Sequence, residues 1–141
     1  MLLALTVALG AVVAVGLGSI GVDDPPPAAR LDLTVDADTG TIEIRHEGGD
    51  ALSVEDLSVT ISVEGEPLDH QPPVPFFAAP GFTGGPEGPF NEAADPTWRV
   101  GEAASVRVAA TNAPTIDPGD AVTVTVAVES GVIATLEAMA T

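Results

Sequence analysis

His46 and His70 are the only histidines in the chain, and a zinc site needs three or four nitrogen, thiolate or carboxylate ligands brought together. The sequence has no cysteine to complete such a set. Asp36, Asp38, Thr39 and Gly40 are similar to the opening of a calcium loop, but the residues that follow supply neither the further oxygen ligands nor a closing Glu at the required spacing. Glu64 and Glu66 have the spacing of a carboxylate pair for general acid–base work, yet among 21 acidic residues such pairs arise by chance. No Gly-x-Ser-x-Gly elbow, phosphate-cradling glycine loop or dinucleotide fingerprint is present, and no nucleophile has a base in a plausible position. The expectation is a non-enzymatic protein with no catalytic, cofactor-binding or metal-binding residues.

The elements that hold these residues read as short strands. Leu31, Leu33 and Val35 alternate with polar residues, and Ile42 and Ile44 do the same after an Asp38-Thr39-Gly40 turn, so the two runs predict a hairpin. His46 continues the Ile42 and Ile44 face, which puts its ring at the rim of the core with a hydrogen-bond partner. Further period-two runs cover 57–63, 104–110, 121–128 and 132–136, with a seventh strand around 97–100. The fold class predicted is mainly β: an antiparallel immunoglobulin-like β-sandwich preceded by one N-terminal hydrophobic helix.

That helix is predicted over residues 1–22, which carry no charge. At about 1.5 Å per residue it extends roughly 33 Å, enough for a hydrocarbon core of about 30 Å. Its apolar positions Leu2, Leu3, Leu5, Val7, Leu9, Val12, Val13, Val15 and Leu17 are the candidate assembly surface, and the small residues between them suit helix against helix as well as helix against lipid. A cleaved secretory signal is an alternative, with Gly16, Gly18 and Ser19 as small cleavage-site residues, although no Lys or Arg precedes Arg30 and the apolar run is long for one. A soluble core helix is a third reading. Asp23-Asp24-Pro25-Pro26-Pro27 ends the helix and gives a stiff, extended connector at 23–29, leaving 30–141 as an acidic β-domain.

A proline- and glycine-rich loop spans 64–96 and contains all four phenylalanines, Phe76, Phe77, Phe82 and Phe90, with Trp98 just beyond. One reading folds these rings back to complete the core. The other presents them as apolar anchors to a partner or surface. The net charge of −17, with no lysine, disfavours nucleic acid and anionic lipid headgroups as partners and suits high salt, where the screening length at 1 M is about 3 Å.

Three features together resemble the type IV pilins and pilin-like proteins of salt-loving archaea. These are the uncharged stretch from Leu2 to Gly21 leading into an acidic β-domain, the segment His46-Glu47-Gly48-Gly49-Asp50-Ala51-Leu52 after a strand, and Pro118-Gly119-Asp120 before a valine-rich strand. In His46, Gly48, Gly49 and Asp50 the sequence predicts a strand end, a Gly-Gly turn and a return to the core. The resemblance implies a structural subunit of a surface filament whose apolar helices bundle in the filament core. The implied partners are the membrane and like subunits, and the implied location is the cell membrane with an extracellular domain, or a cell-surface filament. It also implies a short basic leader removed by a prepilin peptidase; the expectation is a start upstream of Met1 or a pilin-like protein that stays anchored. A membrane-anchored module binding a ligand or partner through the 64–96 loop is the alternative.

Overall fold

The computed structural model of the protein describes residues 26–141. The expected helix at 1–22, with all nine of its candidate assembly residues, lies outside them, as do connector positions 23–25. The described residues form nine strands: β1 (Ala29–Asp36), β2 (Thr41–Gly49), β3 (Leu52–Ser53), β4 (Ser58–Val63), β5 (Glu66–Pro67), β6 (Thr97–Trp98), β7 (Ala103–Arg107), β8 (Ala121–Val128) and β9 (Gly131–Met139). The protein is mainly β and every strand pairing is antiparallel.

Alternation in the sequence becomes burial in the sheets. Leu33 lies opposite Ile44 and Val35 opposite Ile42 in the β1–β2 hairpin, and Ile44 in turn faces Ala104 of β7. These strands make a three-stranded sheet in the order β1-β2-β7, and a four-stranded sheet runs β5-β4-β8-β9. A small β3–β6 pair sets Leu52 against Trp98. Inward residues of both larger sheets, among them Ile44, Ile61, Val124 and Leu136, share one buried cluster. Each such aliphatic side chain contributes about 1.5–3 kcal/mol by leaving water.

Strand ends differ from expectation where neighbours offer hydrogen bonds that local sequence does not encode. β2 continues past Arg45 to Gly49 because β1 starts at Ala29 and supplies partners for it. β7 stops at Arg107, short of the predicted 110. The Val108 N–H turns to donate to Gly40 O and the Ala109 N–H to Gly81 O.

The 64–96 segment is folded against the sheets. It opens with a two-residue hairpin, Glu64 and Gly65 with φ of 52° and 82°, which joins β4 to β5 and has the left-handed pair typical of a tight type I′ turn. It then passes along the outer edge of β7, bridging Glu87 to Ser105 and Phe82 to Val108. A loop in that place covers a row of backbone donors and acceptors that would otherwise invite pairing with another chain. At the far end of β1, Thr141 closes the structure: its N–H donates to Val35 O and its carbonyl accepts from Ala37 N–H.

Candidate functional site

The chain enters the β-domain beside the His46–Asp50 segment, and that segment holds it. The Asp50 N–H donates to Ala28 O at 2.8 Å, and the Ala28 N–H donates to Asp50 Oδ2 at 3.1 Å. The last residues of the connector are thereby fixed from both sides. The predicted Gly-Gly turn is corrected here: Gly48 and Gly49 belong to β2, opposite Arg30 and Ala29, with a bulge that leaves Leu31 opposite His46. The bend falls one residue later, at Asp50. Glycine is required at 49 because φ is +97° and a Cβ there would meet Ala28 O at 2.4 Å.

His46 is also corrected, from the rim to the interior. Its side chain is fully buried, and Nε2 lies 2.7 Å from Asp50 O. A carbonyl oxygen only accepts, so Nε2 carries the proton, while Nδ1 has no partner among the described residues. The ring stands edge-on to Trp98 with centroids 6.0 Å apart. Trp98 is itself fully buried, and its Nε1–H donates to Glu102 O. The same Glu102 oxygen accepts from the His46 N–H, and the Gly101 N–H donates back to His46 O. The turn after β6 therefore clamps the strand that clamps the connector. Just before β6, at the exposed surface, the Thr97 N–H and the nearby Arg99 guanidinium hold the Asp95 carboxyl below its ordinary value.

From Trp98 the packing runs into the proline-rich loop. Phe90 meets Trp98 edge-on at 5.2 Å, the Phe76 N–H donates to Phe90 O, and the Phe76 and Phe82 rings lie 5.7 Å apart. Phe76, Phe82 and Phe90 are buried, so as surface anchors these three are corrected: their rings complete the core, because sheets built from Val, Ala and Ile leave a volume that large rings must fill. Phe77 differs, with 65% of its area exposed.

The remaining candidates serve turns. Asp36 Oδ1 accepts from the Asp38 N–H at 2.9 Å, fixing the β1–β2 turn, and Glu64 Oε2 accepts from the Ala121 N–H. His70 is exposed at the surface, its backbone held by Asn112. No group of three or more His, Cys, Asp or Glu side chains suited to a metal occurs among the described residues. Two residues that sequence reading passed over do more. Asn112, 2% exposed, accepts from the His70 and Ala113 N–H groups and donates to His70 O and Gly81 O. Gln71 satisfies Ile61 from beyond β4, accepting from its N–H and donating to its carbonyl. The signal for Asn112 was an isolated amide between alanines and threonines before a proline, which is too weak to stand out unaided.

An open cleft of about 560 Å³ adjoins the connector, lined in part by Pro27, Leu52, Leu57, Val128 and Ser130. A second, of about 340 Å³, lies beside the β1–β2 turn, lined in part by Thr39, Thr83, Arg107 and Thr115. Among the described residues no helix is long and apolar enough to cross a membrane. No protein-family profile and no curated protein sequence matches the chain.

Proposed function

We propose that the chain is a non-catalytic structural subunit, pilin or minor pilin-like, of an archaeal type IV pilus-like surface filament, assembled through a helix at residues 1–22. The observation that carries this reading is the junction. An uncharged apolar segment precedes a β-domain whose entry point at Ala28 is held from both sides by Asp50.

We read the domain as an immunoglobulin-like sandwich. With β1, β2, β4, β5, β7, β8 and β9 taken as strands A, B, C, C′, E, F and G, the sheets run A-B-E and C′-C-F-G, a Greek-key arrangement of that class. Assembly follows from the apolar segment: about 20 such residues left in water cost tens of kcal/mol by area, and a membrane or a bundle of like helices removes that cost. Salt then governs how closely domains of charge −17 approach. Surface filaments containing this chain are expected in electron micrographs at about 1 M salt and are expected to dissociate near 0.01 M, where the screening length grows to about 30 Å. A filament stable in dilute buffer, or a chain found only as dispersed monomers, refutes the reading.

A second reading, an anchored extracellular module that binds through the 64–96 loop, is supported by Phe77, whose ring is exposed on that loop while its three companions are buried.

A further inference from the structure

Among the described residues only two polar side chains are buried, His46 and Asn112, and of these only His46 can change its charge. An imidazole in water does so near pH 6.5. The fold treats its two nitrogens unequally: Nε2 gives its proton to Asp50 O at 2.7 Å, while Nδ1 has no hydrogen-bond partner among the described residues. A neutral ring needs none there, because Nδ1 then carries no proton to place. A charged ring does. Protonation would set a second N–H at Nδ1 with nothing to receive it, and a full charge where no water reaches.

No counter-charge stands ready for it. The elements around the ring bring Arg30 and Asp32 from β1, Arg45 and Glu47 from β2, Asp50 from the bend, Asp95 and Arg99 from either side of β6, and Glu102 from the turn that follows. All of these are exposed, and the only ion pairs among the described residues, Arg45 with Glu47 and Arg99 with Asp95, leave the ring out. Both signs are present in water, so at high salt their field at the ring is small. Trp98, edge-on to the ring, offers no acceptor, since its one polar group is the N–H that donates to Glu102 O.

The ring therefore takes a proton only by leaving its site. When it leaves, Nε2 gives up Asp50 O, and Asp50 is the residue that holds Ala28 through both its N–H and its carboxylate. We propose that His46 is a pH-sensitive latch: below about pH 6, protonation of its ring frees the Asp50 bend and with it the connector at Ala28. The direction follows from the proton count. The open form binds one proton more than the closed form, so opening gains as pH falls, and above about pH 7 the ring is neutral in both forms and the latch stays closed. The latch stands whether or not the chain forms filaments, because it concerns only the contact between residues 28 and 50.

The test follows backbone amide exchange of the full-length chain in about 1 M salt at about pH 6 and about pH 5, both above the ordinary carboxylate range of about 3.9–4.3. After correction for the intrinsic pH dependence of exchange, the opening constant at the Asp50 amide is expected to rise roughly eightfold between the two, as one ring of ordinary basicity takes up its proton. In His46→Gln, whose side-chain amide can donate to Asp50 O and does not titrate, the constant is expected to stay level. An unchanged opening constant in the native chain overturns the proposal. So does an equal rise in H46Q, which assigns the effect to the carboxylates. Should H46Q fail to fold, the nitrogen NMR signals of the native ring decide, with exposed His70 as the comparison in the same spectrum. A ring that stays neutral for as long as the Asp50 amide is protected supports the latch, and a ring protonated on both nitrogens within a protected bend overturns it.

Discussion

Replacing Gly49 with Ala tests the connector anchor directly. The backbone at Gly49 has φ of +97°, and holding an L-residue in left-handed space costs roughly 1–2 kcal/mol. The added methyl would also lie 2.4 Å from Ala28 O and 2.9 Å from Ala29 Cα, both backbone atoms. To relieve that contact, Ala28 must move away from Asp50. Its two hydrogen bonds, at 2.8 and 3.1 Å, then weaken or break, at about 0.5–1.5 kcal/mol each. The expected total is about 2–5 kcal/mol. Gly119 provides a matched control, because φ there is +92° and nothing lies within 4 Å of where its Cβ would be. Gly119→Ala therefore carries the strain alone, and the difference of roughly 1–3 kcal/mol measures the anchor. For a domain of this size, that corresponds to about 4–12 °C between the two midpoints. The assay is thermal unfolding of the full chain at high salt, followed by circular dichroism and by the fluorescence of Trp98, the only tryptophan, which His46 couples to the anchored strand. If G49A and G119A melt within about 2 °C of each other, Ala28 is not held as the geometry indicates, and the support it lends the filament reading fails with it.

Two further outcomes are expected. Phe90→Ala should cost about 3–5 kcal/mol in urea unfolding, since the ring is buried against Trp98, while Phe77→Ala should change stability by no more than about 0.5 kcal/mol. If F77A nonetheless abolishes capture of a surface or partner, the loop-binding reading gains over the filament one. Asn112→Ala removes the partner of the His70 and Ala113 N–H groups and of the His70 and Gly81 carbonyls, at about 0.5–1.5 kcal/mol for each hydrogen bond lost, and should open the 70–81 segment to limited proteolysis before the rest of the domain.

Sequence alone determined the β class and most strand positions, because period-two alternation at Leu31 to Val35, Leu57 to Val63 and Val122 to Val128 is a local property that burial on one face enforces. It also determined the acidic surface and the uncharged 1–22 segment, which are matters of composition. Tertiary structure decided what required two distant segments to meet. His46 lies inside and not at the rim because Trp98, far along the chain, closes over it. Gly48 and Gly49 stay in a strand because Ala29 and Arg30 come back to pair with them. Three of four phenylalanines are buried and Phe77 is not, a choice set by which rings meet Trp98 and one another. The outer face of β4, β8 and β9, with Glu137 as its one charge, is of the same kind: each strand reads as an ordinary alternating run, and only strand order and register assemble three of them into one surface.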